Sequence, residues 1–332
     1  MAATYQALTV DWQGGSLRSD IREYSMADLP NGEVTIRVSY SGINYKDGLS
    51  TIPEAGIVSQ YPHIPGIDLA GVVVDSSDPA FNEGDEVLIT GYGLGASHPG
   101  GFSQYARVPA AWVVPMPAGL TAKTAMAIGT AGFTAALSVD RMEANGLKPG
   151  QGPVLVSGAT GGVGSWAVYM LAKSGYEVTA STRKSAEIEY LKALGASDII
   201  SPSELEALEA KPINRERWAG AVDPVGGPFL THILGSVRYG GSVTLSGFTG
   251  GAELASTVYP FILRGVNLLG IDSVLCPMEV RRKIWNRIAA EWKPNEALLD
   301  SIVHEISLSD LPDAIAKVLQ GRMRGRSIVA MS

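Results

Sequence analysis

Residues 154–164 read Val154-Leu-Val-Ser-Gly158-Ala-Thr-Gly161-Gly162-Val-Gly164, an apolar run followed by glycines at G-x-x-G-x-x-G spacing. The first glycine permits a tight strand-to-helix turn, the middle ones let backbone N–H groups approach a phosphate, and the last lets the helix pack closely on the sheet. The helix that follows presents the positive end of its dipole to an anion. The stretch therefore predicts a site for a dinucleotide pyrophosphate, whose contacts would be Gly158, Thr160, Gly161, Gly162, Val163 and Gly164.

Tight turns also need glycine, so the context of the motif decides its meaning. Helical patterns over 186–194 and 229–237 separate further apolar segments, each bounded by turn residues. These segments predict strands at Val178–Ser181, Asp198–Ile200, Ala219–Asp223, Ser242–Ser246 and Leu268–Ile271. Apolar strands alternating with helices are typical of a parallel sheet covered on both faces. The sequence predicts an α/β fold with a doubly wound, six-stranded parallel sheet.

The second strand ends at Ser181-Thr182-Arg183-Lys184, where the adenosine ribose of a dinucleotide would lie. An NAD site favours an acidic residue about 20 positions after the glycines, whereas an arginine suits the 2′-phosphate of NADP. No acidic residue appears before Glu187. Ser181 and Thr182 can donate hydroxyl hydrogen bonds, and Arg183 can contact the phosphate through two N–H groups. The pattern favours NADPH, the alternative being that Arg183 and Lys184 are solvated charges at a helix start.

The first 120 residues differ from the rest, because short alternating strands are interrupted by glycine and proline turns. Strands are predicted at 34–40, 69–74 and 86–89, as in an all-β, barrel-like domain. After the parallel sheet, helices are predicted at 280–292 and 311–320 and a closing strand at 327–330. We expect this tail to return to the first domain. The predicted domains are therefore 1–122 with 274–332 for catalysis, and 123–273 for dinucleotide binding.

Composition excludes several function classes. The 332-residue chain has a net charge of −7, which does not suggest a nucleic-acid partner. No apolar run approaches the roughly 18 residues of a membrane span, and the N-terminus lacks the regions of a signal peptide. A single cysteine, Cys276, excludes an intrachain disulfide. We therefore expect a cytoplasmic protein without membrane partners.

Several short motifs carry a resemblance to a known family. These are Pro65-Gly66-Ile67-Asp68-Leu-Ala-Gly71, Gly84-Asp85-Glu86-Val87, Gly100-Gly101-Phe-Ser-Gln-Tyr-Ala106, Asn44-Tyr45-Lys46-Asp47, Gly129-Thr130-Ala-Gly-Phe-Thr134 and Pro260-Phe-Ile-Leu-Arg264. In this order and over the whole chain, they resemble the medium-chain dehydrogenase/reductase superfamily. Within it they are similar to the acrylyl-CoA reductase and quinone oxidoreductase group. The resemblance implies a Rossmann domain and a GroES-like β-barrel catalytic domain, with a cleft between them.

The zinc site of the superfamily's alcohol dehydrogenases has no counterpart here. Ile67 and Asp68 stand where those enzymes carry a histidine and an acid, the four histidines are scattered, and Cys276 is the only cysteine. We therefore expect no metal. Without a Lewis acid, a conjugated acceptor is the easier substrate, because hydride added to its β-carbon places charge on a carbonyl oxygen that hydrogen bonds can stabilise. The protein is expected to be a zinc-independent, NADPH-dependent reductase of an activated C=C bond.

The resemblance also implies particular site residues. Asn44 and Tyr45 would lie beside the nicotinamide, with Tyr45 donating a proton or positioning the ring, unless it only packs there. Further cofactor contacts are implied at Thr130, Thr134, Phe248, Ile262 and Ser273. Threonines at a helix start also act as caps for purely structural reasons.

The resemblance points to a 2-enoyl-CoA such as acryloyl-CoA as substrate. Its phosphates would meet the basic tail at Arg322, Arg324 and Arg326. A quinone or a general enone is the alternative substrate. A second alternative is an NADPH-binding redox sensor without turnover. A homodimer is expected, because the apolar strand over 267–273 could pair edge to edge with a second copy.

Overall fold

A computed structural model describes residues 3–207 and 211–331 of the chain. It divides into two compact units, Met1–Thr130 with Val274–Ser332, and Ala131–Ser273, called unit 1 and unit 2 below. The assignment of catalysis to 1–122 with 274–332 and of dinucleotide binding to 123–273 stays a prediction. No helix in the described ranges is long and apolar enough to span a membrane.

The N-terminal part of the chain is mostly strands. Its elements are β1 (Thr4–Gln13), β2 (Ser16–Ser25), β3 (Val34–Gly42), α1 (Tyr45–Leu49), β4 (Asp68–Ser76), β5 (Glu86–Thr90), β6 (Tyr105–Val108), β7 (Val114–Pro115) and α2 (Ala122–Ala144). The three strands predicted here correspond to β3, β4 and β5. The hairpin of β1 and β2 was not predicted. It turns at Gly14 and Gly15, both with positive φ, a conformation that glycine adopts without strain.

The middle of the chain alternates strands and helices. Its elements are β8 (Val154–Val156), α3 (Gly162–Lys173), β9 (Val178–Ser181), α4 (Ile188–Ala193), β10 (Asp198–Ile200), α5 (Pro202–Glu206), β11 (Trp218–Asp223), α6 (Gly227–Ser236), β12 (Val237–Leu245), α7 (Tyr259–Arg264) and β13 (Asn267–Gly270). The C-terminal part adds α8 (Met278–Glu291), α9 (Glu296–Ile302), β14 (Val303–Ser307), α10 (Leu311–Leu319) and β15 (Arg326–Ala330).

Unit 2 is built on a six-stranded parallel sheet. Its strand order is β10-β9-β8-β11-β12-β13, the 3-2-1-4-5-6 order of a doubly wound dinucleotide fold. The central strands are buried on both faces, because helices cover them, and Leu155, Ala221 and Val243 are completely buried. The predicted fold class is therefore confirmed. The fifth strand begins at Val237, earlier than the predicted Ser242, and the pairing of β11 with β12 shifts register after Trp218.

Unit 1 contains the β1–β2 hairpin and a seven-stranded sheet. The sheet order is β14-β15-β3-β4-β5-β7, and β6 also pairs with β3. The C-terminal strand β15 thus lies inside the sheet, antiparallel to β3 and parallel to β14. Its core joins side chains of β1, β3, β4 and β5, including Leu8, Ile36, Leu69 and Ile89, all completely buried.

Candidate functional site

The carboxyl edge of the parallel sheet is the candidate nucleotide site of unit 2. Strand order reverses between β8 and β11, and ligands of open α/β sheets bind at such a switch point. The turns after these two strands touch there. A Cβ built at Gly158 would lie 2.9 Å from Cγ2 of Val225, and Gly158 has a φ of +53°. Glycine is therefore required at this turn by both space and backbone conformation.

Helix α3 starts in contact with this turn. A Cβ at Gly164 would overlap the carbonyl oxygen of Gly158 and lie 2.6 Å from Cα of Ala159, so only glycine lets the helix approach the strand this closely. The helix has Gly161 as its N-cap, and within the described part of the chain no side chain caps it. Its first N–H groups therefore remain available to an external acceptor. The predicted pyrophosphate contacts at 158–164 lie together in this turn, and the donor set fits an anion.

The loops after β11 and β12 pack backbone to backbone beside that turn. Gly226 pairs with Gly251, and a Cβ at Gly226 would lie 3.4 Å from Cα of Phe248. Phe248 itself is 65% exposed, and so is available to a ligand at this edge. Ile262, on α7, is 69% exposed, and Ser273 is half-buried after β13. Their roles as cofactor contacts stay predictions.

A buried carboxylate holds the turn after β11. Asp223 accepts hydrogen bonds from the hydroxyl of Ser157 and from the N–H groups of Val225 (3.0 Å) and Gly226 (3.1 Å). Burial raises the pKa of Asp223, while these hydrogen bonds favour its ionised form. Asp223 therefore ties β8 to the loop after β11 and fixes the shape of the sheet edge.

The end of β9 places its four polar residues in different surroundings. Arg183 is exposed and makes no hydrogen bond or ion pair within the described residues, so its guanidinium is available to an anion. Thr182 accepts a hydrogen bond from the N–H of Lys184, 3.0 Å away, and burial lowers the pKa of Lys184. Ser181 is completely buried, and its hydroxyl has no partner in the described ranges. The geometry supports Arg183 as an anion contact and leaves Ser181 beneath the surface.

The Asn44–Tyr45 segment of unit 1 begins helix α1. Asn44 is 8% exposed, whereas Tyr45 is 40% exposed. The carboxylate of Asp47 accepts hydrogen bonds from the N–H of Asn44 (2.7 Å) and the N–H of Ile67 (2.9 Å), which ties the helix start to the residue before β4. Tyr45 is therefore displayed at the surface of unit 1 on a firmly anchored backbone.

A buried ion pair lies beneath this segment. Arg326, on β15, places Nη2 3.4 Å from Oδ2 of Asp68, and both side chains are buried. Its five N–H donors have acceptors on Ala127, Ile43, Asn44, Asp68 and Met126. The prediction that Arg326 contacts substrate phosphate is therefore wrong, because its side chain is 3% exposed and its donors are used internally.

Asn44 and Thr130 converge on the same carboxylate. Nδ2 of Asn44 donates to Asp68 at 2.8 Å, and the N–H and hydroxyl of Thr130 donate at 3.0 and 2.5 Å. Helix α2 has a non-helical residue, Gly129 (φ 53°, ψ −161°), directly before Thr130. The break turns the Thr130 N–H towards the carboxylate, so Asp68 caps the second half of the helix.

A second buried acid completes the cluster. Burial raises the pKa of Asp47 to about 7, and the charge of Asp68 adds to this, against the backbone hydrogen bonds and the charge of Arg326. Burial lowers the pKa of Arg326, while Asp68 and Asp47 oppose the shift. Asp47 thus titrates close to neutral pH in the middle of the segment that carries Asn44 and Tyr45.

The remaining predicted residues lie on the surface or in the interior of their own elements. Arg322 is exposed and Arg324 is half-buried in the turn between α10 and β15. Thr134 is buried within α2. Their contacts with substrate or cofactor stay predictions.

Two family descriptions match the chain. The alcohol dehydrogenase GroES-like domain matches residues 30–118, and the zinc-binding dehydrogenase family matches residues 162–290. "Putative quinone oxidoreductase YhfP" of Bacillus subtilis is 52% identical over 331 residues, the whole of both chains. The chain belongs to the medium-chain dehydrogenase/reductase superfamily. It is therefore an oxidoreductase of this superfamily, with a GroES-like and a Rossmann-like part.

Other superfamily members are similar along their whole length. Acrylyl-CoA reductase AcuI of Ruegeria pomeroyi is 49% identical, with 98% of each chain covered. The YhdH oxidoreductase of Salmonella enterica, solved in complex with NADP, is 42% identical with a TM-score of 0.95, covering 98% of this chain and 100% of that one. The Bacillus subtilis YhfP structure, with NAD bound, has a TM-score of 0.96, covering 99% of this chain and 100% of that one. Relatives of the same fold thus occur with either dinucleotide.

One of the family descriptions names zinc. Within 3–207 and 211–331, no group of three or more His, Cys, Asp or Glu side chains is placed to hold a metal ion. Asp68, which the sequence resemblance sets at the place of the zinc enzymes' acid, is bound to Arg326, Asn44 and Thr130.

Sequence reasoning missed the roles of Asp47, Asp68 and Arg326 in one cluster. Asp47 and Asp68 stood inside quoted motifs, yet nothing in those motifs indicates that Arg326, 258 positions after Asp68, pairs with Asp68. The available signal was that Arg326 directly precedes the apolar strand Ser327–Ala330, where an arginine must either leave the core or find a buried acid.

Proposed function

We propose that the protein is an NADPH-dependent reductase that adds hydride to an activated C=C bond, with a 2-enoyl-CoA such as acryloyl-CoA as substrate. The observation that carries the substrate class is the 49% identity to acrylyl-CoA reductase AcuI, which extends over 98% of both chains. Such identity over the whole length covers both the nucleotide turn and the Asn44–Tyr45 segment. The oxidoreductase fold of the superfamily supports the reaction class.

The cofactor proposal depends on the end of β9. Arg183 offers an uncommitted guanidinium there, and no carboxylate stands in the segment to bind ribose hydroxyls. The turn over 158–164 would hold the pyrophosphate through backbone N–H groups of α3. When bound, NADPH supplies the hydride. The YhfP structure with NAD makes NADH the competing cofactor to test.

The proton and the substrate are assigned to unit 1. Tyr45 is the proposed proton donor or ring-positioning group, because it is the exposed phenol at the start of α1. Arg322 and Arg324 are the proposed contacts for the phosphates of coenzyme A. Arg326, the third arginine predicted to bind these phosphates, is left out because its side chain is buried.

A quinone reductase is the second candidate function, favoured by the name of the 52% identical relative YhfP. A quinone carries no phosphates and would not need Arg322 or Arg324. An NADPH-binding sensor without turnover is the third candidate.

We also propose a cytoplasmic homodimer. Strand β13 is the edge strand of the parallel sheet, and among the described residues only β12 pairs with it. Helix α7 and its N-cap residue precede β13 in the sequence and expose three apolar side chains, Val258 (64%), Ile262 (69%) and Leu263 (59%). An unpaired strand edge beside exposed apolar side chains is suited to pairing with a second copy. Light scattering on the purified protein tests this assembly.

Activity is tested by following the absorbance of reduced nicotinamide with purified protein. The acceptors are acryloyl-CoA, S-acryloyl-N-acetylcysteamine, which has the same thioester without the phosphates, and 1,4-benzoquinone. Preference for acryloyl-CoA over the truncated thioester in kcat/KM is expected, and Arg322→Gln and Arg324→Gln should raise KM only for acryloyl-CoA. Preference for benzoquinone would establish the second candidate, and tight NADPH binding without turnover the third.

The cofactor is tested with Arg183→Ala in the same assay. The variant should lose affinity for NADPH by about tenfold or more while its affinity for NADH is unchanged, because only the former carries the 2′-phosphate. Equal loss for both cofactors would remove Arg183 from the phosphate site.

A further inference from the structure

We propose that Asp68 and Arg326 are positioning residues, a buried pair that holds Asn44 and Thr130 in one orientation and thereby places Tyr45 for the reaction. The inference deepens the proposed function and rests on it. It changes the predicted role of Asn44 from a group that meets the substrate to a link between the pair and Tyr45.

Both N–H groups of the Asn44 amide, and one lone pair of its oxygen, are used within the protein. Its Oδ1 accepts from Nη1 of Arg326 at 3.0 Å, and its Nδ2 donates to Asp68 at 2.8 Å and to the carbonyl oxygen of Gly42 at 3.3 Å. A cation on one side and an anion on the other fix which end of the amide is which. Asn44 is therefore held rigidly, directly before Tyr45.

The pair occupies a space that fits it closely. A Cβ at Gly129 would lie 2.5 Å from both Nη2 of Arg326 and Oδ2 of Asp68. A Cβ at Gly42 would lie 2.6 Å from the same guanidinium nitrogen and 2.9 Å from the same carboxylate oxygen. Two glycines on different elements thus leave room for the pair and for nothing larger. The guanidinium cannot move without changing the break in α2 or the end of β3.

Helix α1 transmits this rigidity to Tyr45. Asp47 binds the N–H of Asn44 and of Ile67, so the helix start cannot shift along β4. At the other side, a Cβ at Gly48 would lie 2.7 Å from Cγ of Leu319, which shows that α1 packs tightly on α10. Within α1, Tyr45 is exposed, Lys46 and Leu49 are half-buried, and Asp47 and Gly48 are buried.

Stability alone does not explain such a pair. Desolvating two charges costs about as much as their attraction returns, and apolar replacements of buried ion pairs are often neutral or stabilising. What the pair provides is orientation, since a guanidinium has five N–H groups in a fixed plane and all five are used here.

Thr130 receives its own constraint from the pair. Its hydroxyl donates to Oδ1 of Asp68 at 2.5 Å, so the hydroxyl hydrogen is committed and the oxygen can act towards any further group only as an acceptor. A ligand group at Thr130 must then be a donor, such as an amide N–H or a sugar hydroxyl. Thr130→Ser should keep this arrangement, and Thr130→Val should remove it.

The test compares two buried arginines of unit 1. Arg326→Lys keeps the charge but offers three donors in place of five. The matched control is Arg281→Lys. Arg281 is also fully buried and lies near the same sheet region, since its partner Thr90 pairs with Asp68, but its guanidinium donates to the backbone oxygens of Thr90 and Val274 rather than to Asn44. The readouts are the urea midpoint of unfolding, NADPH affinity from fluorescence, kcat and KM, and hydrogen exchange of amides 44–49.

Both lysine variants are expected to unfold at lower urea. Only Arg326→Lys should lower kcat by about tenfold or more, with KM changed less than about twofold, and speed exchange at 44–49. The double variant Asn44→Ala with Arg326→Lys should lose no more kcat than the worse single variant, because both act through one hydrogen bond. Equal kcat losses in the two lysine variants, or unchanged exchange at 44–49, would overturn the proposal.

Two further measurements keep the outcomes separate. If Arg326→Lys does not fold, Asn44→Ser is used instead, and its kcat and the hydrogen exchange of its amides 45–49 are measured. If the wild-type protein binds NADPH but turns over no acceptor, the proposed function fails. The positioning of the helix start is then still decided by exchange at 44–49 in the lysine variants.

Discussion

Substituting Gly164 by alanine tests how the nucleotide turn is built. The added Cβ would overlap the carbonyl oxygen of Gly158 and come to 2.6 Å from Cα of Ala159. Both neighbours are backbone atoms, so no side chain can rotate away and α3 itself must move from the strand. Overpacking costs about 1–3 kcal/mol, and the absence of any flexible neighbour favours the upper end, about 3 kcal/mol.

The matched control is Gly161→Ala in the same turn. A Cβ there meets only the carbonyl oxygen of Gly158, at 3.4 Å, and Gly161 has a φ of −81°, which alanine adopts readily. Its free energy of unfolding should stay within about 0.5 kcal/mol of the wild type. If the pyrophosphate approaches this backbone, the extra methyl group should nevertheless weaken NADPH binding.

Urea unfolding and NADPH fluorescence titration are the assays. Gly164→Ala is expected to lose both stability and affinity, whereas Gly161→Ala loses affinity alone. A Gly164→Ala protein as stable as the wild type would refute the packing argument. A Gly161→Ala protein that binds NADPH normally would refute the assignment of the phosphate to this turn.

Three further predictions concern other parts of the chain. The pKa of Asp47 is raised from 3.8 to about 7 in the folded state, so the folded protein holds a proton that the unfolded chain has lost. The free energy of unfolding of the wild type should therefore fall, relative to that of Asp47→Asn, as the pH rises from about 4 to 7, and the difference should stay constant above pH 7. A difference that grows in the opposite direction in urea unfolding between pH 5 and 8 would contradict this. Gly129→Ala should destabilise unit 1 by about 3 kcal/mol, because it combines a φ of +53° with a Cβ 2.5 Å from Arg326, and a normal melting temperature would count against the cluster geometry. Arg264→Ala should cost about 2 kcal/mol, because the guanidinium binds the backbone oxygens of Asn214, Gly235 and Val237, and Arg264→Lys should recover part of the loss in the same melting experiment.

The nucleotide-binding sheet could be predicted because its signals are local. Glycine spacing fixes the turn at 158–164, and the short segment Val178–Ser181, bounded by turn residues, forms a strand with the predicted bounds. The hairpin of β1 and β2 lacks such a signal. Its second strand, Ser16–Ser25, is mostly polar and partly exposed, so neither apolar content nor strict alternation marks it.

The candidate site of unit 1 could not be predicted from local patterns. The run Gly321-Arg322-Met323-Arg324-Gly325-Arg326 shows three arginines with similar neighbours. Only tertiary pairing separates them, because Arg326 is the first residue of an interior strand and the other two lie in the turn before it. The family resemblance implied a site role for Asn44, which stays a prediction, but it could not reveal that the amide is bonded to both Arg326 and Asp68.

The interior place of β15 has a consequence for how the chain acquires its structure during synthesis. Domains generally fold as units as they emerge, and all of residues 131–273 leave the ribosome before β15 does. Before β15 is made, the sheet of unit 1 lacks the strand that lies between β14 and β3. Until Arg326 is made, Asp47 and Asp68 lack the guanidinium that accompanies them into the core, so unit 1 cannot close before β15 is synthesised.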